Sequence, residues 1–96
     1  SLQRLAQVTS YNSARAFNLL PRKGIVKTGA DADLVIIDLN LEKAVDSREL
    51  GSVTGYSLYD GKSMKGWPVM TLLRGKVIVR DGNFVGEAGD GKFLRH

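Results

Sequence analysis

The sequence contains no cysteine, which excludes disulfides, thiolate nucleophiles and every zinc site built on sulfur. Its single histidine is His96, the last residue, a position where chains are usually poorly held. Neither a histidine triad nor a multi-histidine metal cage can be assembled from these 96 residues. Proline occurs twice, and no apolar run approaches the ~18 residues that a membrane helix needs. Acidic residues are missing from positions 1–27, which carry Arg4, Arg15, Arg22, Lys23 and Lys27. Ser1 opens the sequence with no initiator methionine and no signal-like lead-in, so a piece of a longer chain is expected.

What is present describes one soluble globular unit, 43% hydrophobic and 25% charged. The net charge of +4 is laid down in blocks. Seven acids against Lys43 and Arg48 fill residues 28–60, and seven bases against three acids fill the remainder. Alternating blocks suit surfaces facing different neighbours better than a phosphate-tracking stripe, so nucleic acid is not an expected partner, and the lack of a long apolar run makes a membrane an unexpected one too.

Leu2, Leu5, Ala6, Thr9, Ser13, Ala16, Phe17 and Leu20 recur at spacings of three and four, which predicts a helical segment with one face to cover. Asn12 is placed to interrupt it as the N-cap of a second short helix from Ser13 to about Leu19, closed by Pro21. Gly24–Gly29 reads as a short strand. Ala30–Asp33 reads as a turn in which the aspartates bond neighbouring amides. Leu34–Ile37 is an unbroken apolar run predicted to bury both faces, worth roughly 6 to 12 kcal/mol at full burial. Asp38–Asn40 turns the chain, Glu42–Asp46 is a more polar extended segment, and Ser47–Leu50 suits one helical turn. Residues 51–68 show no sustained period, and Val69–Leu73 resumes as a strand. Val77–Arg80, Asp81-Gly82 and Asn83–Val85 form a hairpin whose two turn positions both require positive φ. Five or six strands after a helical start make the class mainly β with an N-terminal helical segment.

No candidate site survives comparison with its structural explanation. Asp31 and Asp33 form a paired carboxylate, yet with Gly29 before them, a buried run after them and no third ligand they suit an orienting turn better than acid/base or metal work. The glycines at 24 and 29, and at 82, 86, 89 and 91, neither open a helix nor precede the Lys-Ser/Thr of a phosphate loop. Tyr56, Tyr59 and Trp67 fit an interface plug better than a stacking platform. Ser57 and Ser63 have no histidine or lysine at a spacing that predicts activation. The expectation is no catalytic, cofactor-binding or metal residue within the segment.

The run Gly24–Asp38, with its Gly-x-Asp-Ala-Asp-Leu-Val-Ile core at 29–36, resembles the stretch that follows the catalytic barrel in amidohydrolases. Joined to Asn12–Leu19, Tyr56–Gly61, Gly66–Val69, Arg74–Val79 and Gly89–Leu94, it is similar to the carboxyl end of the dihydropyrimidinase and hydantoinase group, with allantoinase and dihydroorotase close by. Ser13 stands where the family usually has proline, and Asp60 where it often has glutamate. The resemblance implies a parent with a (β/α)8 barrel and a composite β-sandwich. Residues 1–20 would be the last helical segment of the barrel and 21–96 the C-terminal portion of the sandwich. It also implies a cytoplasmic homo-oligomer that hydrolyses cyclic amides or ureides with two zinc ions held by histidines, an aspartate and a carboxylated lysine. None of those ligands matches a position here, so the remainder of the parent chain is the implied partner and the 96 residues alone are not an enzyme. Two other readings remain: a segment of a catalytically inactive scaffold relative, and an unrelated small β module binding an acidic partner through its basic ends.

Overall fold

A computed structural model describes residues 1–51 and 53–95; the expectation attached to His96 lies outside them. A helical segment leads, followed by an irregular connection and a four-stranded antiparallel sheet in the order β1-β2-β3-β4. The mainly-β class with a helical start is what the sequence indicates, with four strands among the described residues instead of five or six.

The helical segment runs unbroken from α1 (Leu2–Ala6) through one π-helical turn (Gln7–Tyr11) into α2 (Asn12–Ala16). Asn12 is not an N-cap. Its φ of −64° and ψ of −37° are helical, and its N–H donates to the Gln7 carbonyl. The wider turn coincides with Thr9, whose hydroxyl donates to the Leu5 carbonyl at 2.7 Å and competes for that acceptor. The helix also stops before Pro21 is reached. Asn18 takes φ 57°, and the Asn18 and Leu19 amides donate back to the Arg15 and Ala14 carbonyls, a left-handed cap that asparagine tolerates.

Gly24–Gly29 is not a strand: among the described residues no strand pairs with it, and an Ala30 to Lys27 turn bond follows instead. Gly24, at φ 79°, presses against the helix so closely that a Cβ there would lie 2.5 Å from the Ala14 Cβ and 2.9 Å from the Ser10 carbonyl oxygen. Ala14 is buried by this approach and is the only buried residue of the helical segment, which packs against no strand.

β1 (Leu34–Ala44) is one long strand where the sequence suggests two pieces and a turn at Asp38–Asn40. The turn signal is real but becomes a bulge: Asp38 accepts from the Asn40 amide at 2.9 Å, and pairing with the next strand shifts register between Asp38 and Glu42. β2 (Ser63–Leu73) starts six residues earlier than its apolar run indicates. Gly66 and Pro68 hide the strand in the sequence. Both sit at the irregularities, Gly66 at φ 90° opposite the bulge and Pro68 beside the shift between Ile36 and Ile37.

Arg74-Gly75 and Asp81-Gly82 then form two two-residue turns, all four residues at positive φ, leading into β3 (Lys76–Arg80) and β4 (Asn83–Phe84). Ser47–Leu50 is turn and not helix.

The core is the main correction. Only Ala14, Val45 and Ser47 are buried among the described residues. Val35, Ile36 and Ile37, predicted to be covered on both faces, remain 56%, 48% and 44% exposed because β1 is an edge strand with nothing laid over it. The accessible surface is 7644 Å². A self-contained protein of 10.5 kDa would show roughly 5,400 Å². The radius of gyration, 15.1 Å, likewise exceeds the ~12.5 Å of a compact chain of this length.

Candidate functional site

Three polar junctions hold the chain in shape, and each of the carboxylates considered as chemistry belongs to one of them. At the first, Asp31 accepts from Arg22 Nε and from Lys23 Nζ, both at 2.9 Å, and Lys23 also pairs with Asp33. The other Asp33 oxygen accepts from the Arg74 amide at 2.9 Å, and the Gly75 amide donates to the Ala32 carbonyl at 2.9 Å. The expected bonds to neighbouring amides are replaced: the turn falls at residues 28–29, and the Asp31 and Asp33 side chains bond two cations and a hairpin tip forty residues away.

The electrostatics follow from these contacts. Hydrogen bonds from Lys23, then Arg22, hold the Asp31 carboxyl below its ordinary value of 3.8. Desolvation pushes Asp33 upward, but Lys23 and the Arg74 amide outweigh it and the net shift is down. Lys23 is raised above 10.5 by its bond to Asp33, against a desolvation penalty, with Asp31 adding to the rise. These are the shifts of ion-paired groups, all displaced away from neutrality. A general acid or base working near neutral pH needs the opposite displacement.

The second junction lies where β1 ends. Ser47, 2% exposed, donates to Asp60 through both its amide (2.8 Å) and its hydroxyl (3.0 Å), and the Ser57 amide adds a third bond at 2.9 Å. The Ser47 amide is the largest influence lowering the Asp60 carboxyl. Val45 is tied to the same loop by bonds to Lys62 and Gly61, both 2.8 Å. Ser57, weighed as a nucleophile, accepts from the Tyr59 amide and stands in a turn. Ser63 donates to Glu42 across the β1–β2 pair at 3.0 Å. Ser63 meets a carboxylate in an exposed cross-strand pair, and no histidine or lysine is hydrogen-bonded to either serine among the described residues.

At the third junction Asp90 accepts from the Glu87 amide at 2.7 Å and from Lys76 at 3.0 Å, while its carbonyl accepts from Arg74. It latches the segment after β4 onto the hairpin.

The aromatics weighed together are not brought together. Trp67 lies within β2, donating its indole N–H to the Met64 carbonyl at 2.7 Å, with the Lys43 ammonium 4.5 Å from its ring. It borders a groove of about 730 Å³ between residues 46–51 and the β2–β4 face, which also reaches Phe84. Tyr56 and Tyr59 stand on the loop above Asp60, and Leu58 projects beside them. The Lys43–Trp67 stack was missed in the sequence because its partners are 24 positions apart and the strand carrying Trp67 was unrecognised.

Among the described residues there is no group of three or more histidine, cysteine, aspartate or glutamate side chains able to hold a metal. The carboxylates that do lie together are already paired with cations. The two zinc ions implied by the family resemblance do not fit the residues present here, and no step is derived through them. Among the same residues, no helix is long and apolar enough to cross a membrane.

The D-hydantoinase of Ralstonia pickettii is 40% identical over 95 residues, which is 99% of this chain and 21% of that one. The D-phenylhydantoinase of Escherichia coli O1:K1 is 44% identical over 95 residues, with the same coverage. The solved L-hydantoinase (dihydropyrimidinase) from Arthrobacter aurescens superposes with a TM-score of 0.94 at 38% identity, covering 100% of this chain and 21% of that one. This chain thus spans about a fifth of the length of the relatives it matches. The profile of the Amidohydrolase family matches residues 1–78, and the chain belongs to that family.

Proposed function

We propose that these residues form a non-catalytic structural and assembly segment of a zinc-dependent hydrolase that opens cyclic amides of the hydantoin and dihydropyrimidine type. The observation that carries the reading is the mismatch between polar and apolar satisfaction. No buried side-chain nitrogen or oxygen lacks a partner among the described residues, whereas Leu2, Leu5, Val35, Ile36, Ile37, Leu39 and Tyr56 are all exposed. A chain of this composition needs further protein to cover that surface. Relatives about five times as long supply a reason for it.

In this reading residues 1–20 are the last helical segment of a (β/α)8 barrel, and residues 21–96 are the C-terminal portion of a composite β-sandwich. The apolar edge of β1 would continue into strands from elsewhere in the parent. Zinc would be held by residues outside this segment, where it supplies the activation of water for ring opening. The reading carries with it a homo-oligomeric, cytoplasmic enzyme. Because the relatives named above are hydantoinases, it is favoured over a metal-free scaffold.

The test is a splice. The Ralstonia pickettii D-hydantoinase is made with its matching segment replaced by these 96 residues, and in parallel with that segment deleted. Hydantoin ring opening is expected in the first protein and absent from the second. A deleted form that retains full turnover would refute the assembly role, and a folded splice without turnover would refute the kinship of function.

A further inference from the structure

The loop at 53–59 carries exposed apolar side chains on a hydrogen-bonded base. Tyr56 is 71% exposed and Leu58 is 90% exposed, and Val53 and Tyr59 stand out beside them. No charged residue occurs between Gly51 and Asp60. A solvent-facing loop of this composition is expected to be loosely held, yet its base takes in Ser47, the one buried polar residue among those described. Asp60 gathers the Ser47 amide, the Ser47 hydroxyl and the Ser57 amide, and two backbone bonds at Val45 fix the same base to the end of β1. The Thr54 hydroxyl donates to the Tyr56 carbonyl at 3.0 Å, and the Ser57 hydroxyl accepts from the Tyr59 amide, so the tip is shaped as well as anchored. A pre-ordered, uncharged tip carrying tyrosine and leucine has the composition of an interface anchor, in which little conformational entropy is left to lose on docking.

From this we infer that residues 53–59 are a docking knob that inserts into an apolar pocket on the remainder of the same hydantoinase-type chain. The inference rests on the reading proposed above and adds the surface, the occupant and the positioning residue, Asp60. Own-chain docking is favoured because about four-fifths of the length of the relatives lies outside this segment. The absence of charge on the tip favours a pocket that is apolar and offers an acceptor for a tyrosine hydroxyl.

The experiment uses the hydantoinase carrying these 96 residues in place of its own matching segment. Tetranitromethane is added to the native protein, and nitration of Tyr11, Tyr56 and Tyr59 is mapped by peptide mass spectrometry, with the urea-unfolded protein as reference. Tyr56 is expected to react at least about tenfold more slowly in the native protein. Reaction within about twofold of the unfolded rate would show the loop to be free and overturn the inference. Protection that disappears when the protein is diluted to monomers, followed by light scattering, would place the loop on a second copy and also overturn it. The double variant Tyr56→Ser, Leu58→Ser should shorten the inactivation half-life at fixed temperature by about tenfold, and an unchanged half-life counts against the knob. Should the spliced protein protect Tyr56 but open no hydantoin, the proposed function fails while the docking inference stands.

Discussion

The polar junctions and the apolar surfaces of this chain behave as opposites. At Lys23/Asp31/Asp33, at Ser47/Asp60 and at Lys76/Asp90, groups up to 41 residues apart have found one another. Along α1, the outer part of β1 and the loop at 53–59, large aliphatic and aromatic side chains have found almost nothing. Hydrogen bonds and ion pairs act over a few ångströms and set conformation locally, so a segment can complete them by itself. Burial needs area, and a four-stranded sheet with a helix that does not touch it has too little to offer. Local shape in this chain is therefore self-determined, and its stability is left to whatever covers it.

Substitutions that charge the apolar surface should break this contrast most severely. Ile37→Asp, within the spliced hydrolase, is expected to destabilise by about 3 to 5 kcal/mol, the cost of an unpaired buried charge, read from the urea midpoint. A change below about 0.5 kcal/mol would mean that the β1 edge stays in water even in the larger protein. Gly24→Ala comes next. A Cβ placed 2.5 Å from Ala14 and a left-handed φ should together cost about 2 to 4 kcal/mol, because this contact lies wholly inside the segment.

Ser47→Ala removes one hydroxyl bond to Asp60 while leaving the amide bond, and about 1 kcal/mol is expected in the same measurement. The smallest effect concerns pH. Asp31 and Asp33 are depressed, so their contribution is present above the ordinary carboxylate value of 3.8 and is lost as pH falls through their lower folded values. Lys23 is raised, so its contribution is present below 10.5 and is lost as pH climbs through its higher folded value. The stability difference between the parent protein and Lys23→Met should thus be flat from about pH 5 to 9 and shrink at both ends, a small quantity for a solvent-accessible cluster. A difference that grew on acidification would contradict the ion-pair geometry.

What the sequence disclosed depended on the range of the signal. Asp81-Gly82 announces its turn in two letters, and the structure places both residues at positive φ. Arg74-Gly75 makes the same kind of turn but starts with arginine, which gives no such notice. Leu34–Ile37 reads correctly as strand, yet Val35, Ile36 and Ile37 are exposed here, because an apolar run says that cover is needed and not which segment provides it. Gly66 and Pro68 mask the first half of β2, since both residues normally argue against a strand and here occupy the irregular positions that tolerate them. Asn18 ends the helix by adopting a conformation that few other side chains permit, and Pro21 drew attention away from it. For the candidate site, the spacing of Asp31 and Asp33 shows two carboxylates close together with no third ligand at useful spacing. Their bonds to Arg22, Lys23 and the Arg74 amide are not legible there, because they depend on how the connection folds back over the sheet.

The unequal length of the two sheet borders has a directional consequence. β4 contributes two residues, too short a template for another strand, while β1 presents eleven. Extension of the sheet can proceed from one side alone, and the two tight turns let β2, β3 and β4 zip together from neighbouring sequence before any distant segment arrives. The meander is thus a seed with a single growing end.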